Sequence, residues 1–147
     1  MADGAFPVVW PDGGPQVLIV DDHGAMRAVL RDVLEEEGAR VVGETDDGRA
    51  AVELTGRLAP QVVIMDLRIP GLNGLDATRR IKQLHPAVQV LILTAYDDPA
   101  LDREAAAVGA YAFLVKGCQV QLICQVIDQA WAHAGGRPGP VSRRRCR

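Results

Sequence analysis

The chain reads as an α/β protein built on a doubly wound (flavodoxin-like), five-stranded parallel sheet of order 2-1-3-4-5 with helices on both faces. Five short β-rich apolar runs recur at residues 16–21, 40–45, 61–66, 88–94 and 110–116, and helical periodicity fills the segments between them. The runs also lack polar alternation, which marks strands buried on both faces, and parallel strands need crossover helices to connect them.

Each element has a local reason. After the first run, Met26, Val29, Leu30, Val33 and Leu34 follow the i, i+3, i+4, i+7, i+8 spacing of one apolar helical stripe. Gly38 follows that helix, and Asp47 is placed to cap the second. The segment from Gly71 to Gly74 makes the turn before the third, and Gly109 ends the fourth. The fifth helix is expected over about Val120 to His133, stopping at Gly135-Gly136. Residues 1–15 form a Gly/Pro-rich leader expected to be disordered, residues 16–134 one domain, and residues 135–147 a basic disordered tail.

Composition narrows the class. At 147 residues the chain suits a single domain with a substantial core. Although 48% of residues are hydrophobic, no apolar run approaches the roughly 18 residues of a membrane span. No basic segment followed by an apolar stretch opens the chain, so a cytoplasmic protein is expected. Cys118, Cys124 and Cys146 are odd in number and lack CxxC spacing, which fits reduced thiols better than disulfides or a zinc site. Arg137, Arg143, Arg144, Arg145 and Arg147 crowd the end, leaving 11 basic against 19 acidic residues, net −8, elsewhere. Five arginines without a groove-reading element imply a solvated tail and no direct specific nucleic-acid binding.

The polar residues carry the chemistry. Asp21 and Asp22 end the first run, Asp66 the third, Thr94 the fourth and Lys116 the fifth. Open parallel sheets bind ligands beyond the carboxyl ends of their strands, and the order 2-1-3-4-5 places the second strand, which lacks such a residue, at the edge. Three carboxylates converging there repel one another unless a cation offsets them. Mg²⁺ suits them, since it prefers oxygen ligands and retains water, so one or two carboxylates plus a phosphate oxygen satisfy it. Lys116 supplies a mobile positive charge to the same phosphate, and the Thr94 hydroxyl a hydrogen bond. The constellation describes phosphoryl transfer to a carboxylate.

These residues lie in segments, VLIVDDH, VVIMDLRIPGLNG, VLILTAY and GAYAFLVKG, that resemble the signature segments of two-component response-regulator receivers over about residues 16–133. Separations of 44, 28 and 22 residues between Asp22, Asp66, Thr94 and Lys116 are also family-like. The resemblance implies that Asp66 accepts phosphate from a sensor histidine kinase, while Asp21, Asp22, Asp66 and the backbone carbonyl of Arg68 hold Mg²⁺. Thr94 and Lys116 would then contact the phosphoryl group, and Phe113 would be the aromatic switch that turns inward when Thr94 moves. A surface of the fourth helix, fifth strand and fifth helix would change, with a possible homodimer and transcription control as outputs. The His after the acidic pair, the Thr-Ala-Tyr-Asp-Asp segment and the Lys-Gly ending look most like the NarL/FixJ-type subfamily. Its helix-turn-helix output domain does not fit after the fifth helix.

Two residues depart from the family pattern: Gly117 stands where most members have a cis proline, and Gly24 where the subfamily often has proline. His23 reads as a loop residue, and Arg68 and Tyr96 as flanking residues. Three other readings compete. A flavin phosphate would be repelled by Asp21-Asp22, and a haloacid-dehalogenase-type hydrolase needs an acid at position 68, which is Arg. A degenerate receiver acting only as a protein-binding surface is the third.

Overall fold

The computed structural model describes residues 10–134 and 145–146. Its elements, in order, are β1 (Gln16–Val20), α1 (Gly24–Glu36), β2 (Arg40–Thr45), α2 (Gly48–Leu58), β3 (Val62–Met65), α3 (Gly74–Leu84), β4 (Gln89–Thr94), α4 (Pro99–Ala107), β5 (Ala112–Val115), α5 (Val120–His133) and β6 (Arg145–Cys146). The five main strands are parallel in the order β2-β1-β3-β4-β5, as the sequence predicts. β6 adds two residues at the open edge of β5, parallel to it, with Phe113 opposite Arg145 and Leu114 opposite Cys146.

Alternation along each strand divides the core in two. Val17, Ile19, Val62, Ile64, Leu91, Leu93, Ala112 and Leu114 face α1 and α5, where Leu30, Leu34, Ile123, Val126 and Ile127 cover them. Leu18, Val20, Val63, Met65, Val90, Ile92 and Phe113 face the other way, toward Ala51, Ala77, Ile81 and Ala105 of α2, α3 and α4. Both faces are therefore buried, which is why the strands read as continuous apolar runs. The α1 stripe is narrower than its periodicity implies: Leu30 and Leu34 are buried, but Val29 is 57% exposed. Among the described residues no helix is long and apolar enough to cross a membrane.

Helix punctuation follows the sequence closely. Asp47 caps α2 by accepting from Arg49 N at 2.8 Å, and α5 has the expected bounds. Gly38 adopts φ +103°, and a Cβ there would stand 2.1 Å from the Trp10 carbonyl oxygen, so both conformation and space require glycine.

That close approach corrects the boundary of the leader. Trp10 is 2% exposed, its indole Nε1–H donates to Asp128 Oδ1 of α5 at 3.0 Å, and its backbone N–H donates to Glu37 O at 2.9 Å. Gly14 N donates to Gly38 O at 2.8 Å. Residues 10–15 are thus part of the folded unit; residues 1–9 lie outside the described residues. The expected disordered tail is corrected at 145–146, which pair with β5, while 135–144 and 147 lie outside the described residues. Replacing Trp10 with Phe keeps most of the ring and removes a partly buried hydrogen bond to a carboxylate. A stability loss of about 1.5 kcal/mol is expected in denaturant unfolding; an unchanged midpoint would mean that this contact contributes nothing.

Candidate functional site

Four strand ends converge because the sheet is parallel. Asp21 follows β1, Asp66 follows β3, Thr94 ends β4 and Lys116 follows β5, all at the carboxyl edge. Backbone pairing continues through these positions. Asp21 N donates to Thr45 O, Asp66 N to Val20 O at 2.9 Å, and Lys116 N to Thr94 O at 2.7 Å, so the side chains project from fixed points.

Their geometry is compact. The Lys116 ammonium lies 2.8 Å from Asp21 Oδ2 and 2.9 Å from Asp66 Oδ2, bridging two carboxylates that are 2% and 5% exposed as residues. Asp66 Oδ1 accepts from Leu67 N at 2.7 Å, and Asp21 Oδ1 accepts from His23 N at 2.8 Å. Arg27 of α1 donates to the Asp21 carbonyl at 2.6 Å and to Glu44 Oε1 at 3.0 Å, holding the β1–α1 loop against β2. Across from it, Gly74 N donates to Leu67 O at 2.8 Å, seating the start of α3 directly on the chain that leaves β3.

Burial raises the Asp66 carboxyl above the ordinary carboxylate range, outweighing the pull of Lys116, and the charge of Asp21 adds to the rise. For Lys116 the balance is opposite: burial lowers it, but the hydrogen bonds and charges of Asp21 and Asp66 win and hold it above its usual value. The site thus holds more negative charge than it can comfortably keep, around a firmly protonated lysine.

Thr94 is fully buried, and its hydroxyl oxygen stands 3.5 Å from Tyr96 N. Phe113 is fully buried on the α2–α3–α4 side of the sheet, paired in register with Ile92 of β4. The Arg68 guanidinium stacks over the Tyr96 ring at 4.3 Å, joining the loops after β3 and β4. At Gly117 the chain turns with φ +98°, and no cis peptide occurs among the described residues, so this turn is built without the family's cis proline. The described cysteines hold no place here; Cys124 is 1% exposed in the α5 core, and burial pushes its thiol up to about 11.

The structure brings Asp21, Asp22 and Asp66 together, and sets beside them His23, which the sequence reads only as a loop residue. Donor atoms of Asp21, Asp22, His23 and Asp66 all lie within 4.8 Å of one another, a group that could hold a metal ion. His23 is the N-cap residue of α1 but makes no side-chain cap; its Nδ1 instead stands 3.0 Å from Asp22 Oδ1 and 3.4 Å from Asp21 Oδ1. The only signal in the sequence was its position next to the acidic pair. Two surface clefts, between α2 and α3 and between α3 and α4, contain none of these residues.

Comparison with known proteins agrees with this geometry. The profile of the response regulator receiver domain matches residues 17–128. Chemotaxis protein CheY of Thermotoga maritima is 36% identical over 116 residues, covering 79% of this chain and 97% of that protein. Response regulator GacA of Pseudomonas aeruginosa is 34% identical over 118 residues, covering 80% of this chain but 55% of GacA, so the chain spans about half the length of that relative. A two-component response regulator of the LuxR family from Aurantimonas sp. SI85-9A1 superposes with a TM-score of 0.75 at 31% identity, covering 88% of this chain and 91% of that one. With the fold, the carboxyl-edge cluster and a profile match over most of its length, the chain belongs to the response regulator receiver domain family.

Proposed function

We propose that this receiver takes a phosphoryl group from a sensor histidine kinase onto Asp66 in a Mg²⁺-dependent reaction, and so switches a protein-interaction surface. The observation that carries this reading is Lys116, whose ammonium bridges the buried carboxylates of Asp21 and Asp66. An oxygen of Asp66 attacks phosphorus, the P–N bond of the donor phosphohistidine breaks with its electron pair leaving on the imidazole, and an acyl phosphate forms on Asp66. When bound, magnesium would supply positive charge to offset that of the transferring group. Asp21, Asp22, Asp66 and the Arg68 carbonyl would hold the ion. Lys116 would shift from Asp66 to the new phosphoryl oxygens, and Thr94 would donate its hydroxyl to them.

The added charge of about −1.5 to −2 is what drives the switch. Thr94 is drawn toward the phosphoryl group, and Phe113, buried one strand away, repacks into the space that this movement changes. Both residues lie next to the surface of α4, β5 and α5, where a homodimer contact or a downstream partner would respond. A role in transcription rests on the likeness to GacA and to the LuxR-family regulator. As a receiver domain the chain is a signalling switch, and turnover of an external substrate is not part of this reading.

The test is phosphorylation of the full chain by a small phosphodonor, followed by intact mass, with magnesium and with chelator. Labelling is expected only with the metal, and Asp22→Ala is expected to need at least about tenfold more magnesium for the same labelling, the scale of losing a metal partner. Undiminished labelling of Asp22→Ala at low magnesium would remove the metal assignment.

A further inference from the structure

We propose that the outer edge of β5 is a strand-addition site for an extended, arginine-rich peptide, and that this chain's own Arg145–Cys146 occupies it intramolecularly. A partner that pairs with β5 would have to displace this segment. The inference does not depend on phosphotransfer at Asp66; it concerns what reaches the edge of the sheet.

Topology carries the argument. β5 pairs with β4 on one side, so without β6 its other edge would present a row of backbone N–H and C=O groups to any extended chain. β6 fills part of that edge, parallel to β5, with Phe113 opposite Arg145 and Leu114 opposite Cys146. It is not the next repeat of the fold. β3–α3–β4 and β4–α4–β5 step in the same direction along the sheet with their helices on one face, whereas α5 packs on the other face, so β5–α5–β6 has the opposite hand. Parallel crossovers take a single hand in roughly 98% of cases. A two-residue strand reached by the disfavoured hand is a docked segment, and its short ladder can be exchanged for that of another extended chain.

Charge selects the occupant. Residues 137–147 carry five arginines and no acid, whereas the rest of the chain is net −8. Acids gather beside this edge: Asp97 and Asp98 precede α4, Asp102 and Glu104 lie in it against Arg103 alone, and α4 packs beside β5. Such a field draws a basic peptide and repels an acidic one. Residues 134–144 connect α5 to β6 and can span roughly 35 Å when extended. A connection this short holds the segment at an effective concentration on the order of millimolar, so its own edge is filled before that of a second copy. On the phosphotransfer reading the paired Phe113 is also the switch residue, so occupancy of the edge bears on the strand that phosphorylation would move.

The experiment compares the full chain with a chain ending at Gly136 and with the Arg145→Pro/Cys146→Pro double variant, which lacks both N–H groups of β6. Amide hydrogen exchange is followed along the sheet, and a synthetic peptide of residues 137–147 is titrated into each chain. In the full chain the outward-facing amides of β5 are expected to exchange at least about tenfold more slowly than in either altered chain, while those of β1 and β3 stay within about twofold. The peptide is expected to bind the shortened chain, restore protection of β5 and weaken as salt rises. Its affinity for the full chain should be at least about tenfold lower, because the site is filled. Equal β5 exchange in the three chains would overturn the inference. So would a peptide that binds full and shortened chains alike, or one that binds as well with proline at positions 145 and 146, since backbone pairing would then not be the contact. Protection that falls on dilution, together with dimers in sedimentation, would place the segment on a second copy and overturn the intramolecular assignment.

Discussion

The Asp66→Asn chain, treated with a phosphodonor and magnesium, is expected to acquire no phosphate adduct, while the wild type is labelled and yields its trapped product at Asp66 after borohydride reduction. No neighbour can take its place. Asp21 has one oxygen on His23 N and the other on Lys116, at the foot of β1. Asp47 and Asp98 are committed as helix caps, to Arg49 N and Ala100 N. Only Asp66 follows the central strand β3 with Lys116 on one oxygen and Thr94 on the adjoining strand. The variant is also expected to be at least as stable as the wild type, which makes the loss interpretable. Because the Asp66 carboxyl is raised in the fold, the unfolded chain loses its proton first. Above the unfolded value the native state binds the extra proton, so stability falls as pH rises through the window up to the folded pKa and is flat beyond it. The neutral amide escapes that cost. Labelling of Asp66→Asn at the wild-type level, or a trapped adduct elsewhere in the wild type, would overturn the phosphoacceptor assignment.

What was legible in the sequence was what is local or repeats at fixed separation. Asp21, Asp66, Thr94 and Lys116 each terminate an apolar run, and a parallel sheet necessarily gathers such positions at one edge. Strand and helix order followed from periodicity for the same reason. Trp10 was not legible, because its partner Asp128 is 118 residues away and a single tryptophan in a Gly/Pro-rich stretch has no periodicity to betray its burial. The pairing of β6 was hidden likewise, since no apolar run marks 145–146 and a backbone ladder asks nothing of the side chains. Val29 fits the helical stripe by spacing, yet the sheet is met by Leu30 and Leu34, so it faces solvent. At His23 the sequence supplied the neighbours but not the side-chain direction, which depends on how the backbone turns out of β1.

A methyl group at Gly74 is expected to damage fold and site together. An added Cβ there would stand 2.2 Å from the Asp66 carbonyl oxygen, 2.7 Å from Leu67 Cα and 2.9 Å from the Asp66 carbonyl carbon. All three are backbone atoms of the segment that presents the phosphoacceptor, so no rotamer change can relieve the contact. Relief requires α3 to move outward, which weakens the Gly74 N to Leu67 O bond and loosens Ala77 and Ile81, both fully buried against the sheet. Overpacking of this kind costs up to about 3 kcal/mol, against which the better helix propensity of alanine recovers about 1 kcal/mol or less at a helix start. A loss of about 2 kcal/mol is therefore expected for Gly74→Ala, with slowed labelling of the molecules that remain folded, because the displaced segment carries Asp66. Gly117→Ala is the comparison: a Cβ there meets no atom within 4 Å, and only the φ of +98° opposes it, at a cost of about 1 kcal/mol. Denaturant midpoints and phosphodonor labelling of the two variants check this directly. A Gly74→Ala chain as stable as the wild type, and labelled as fast, would mean that α3 is not seated on the Asp66 backbone as described.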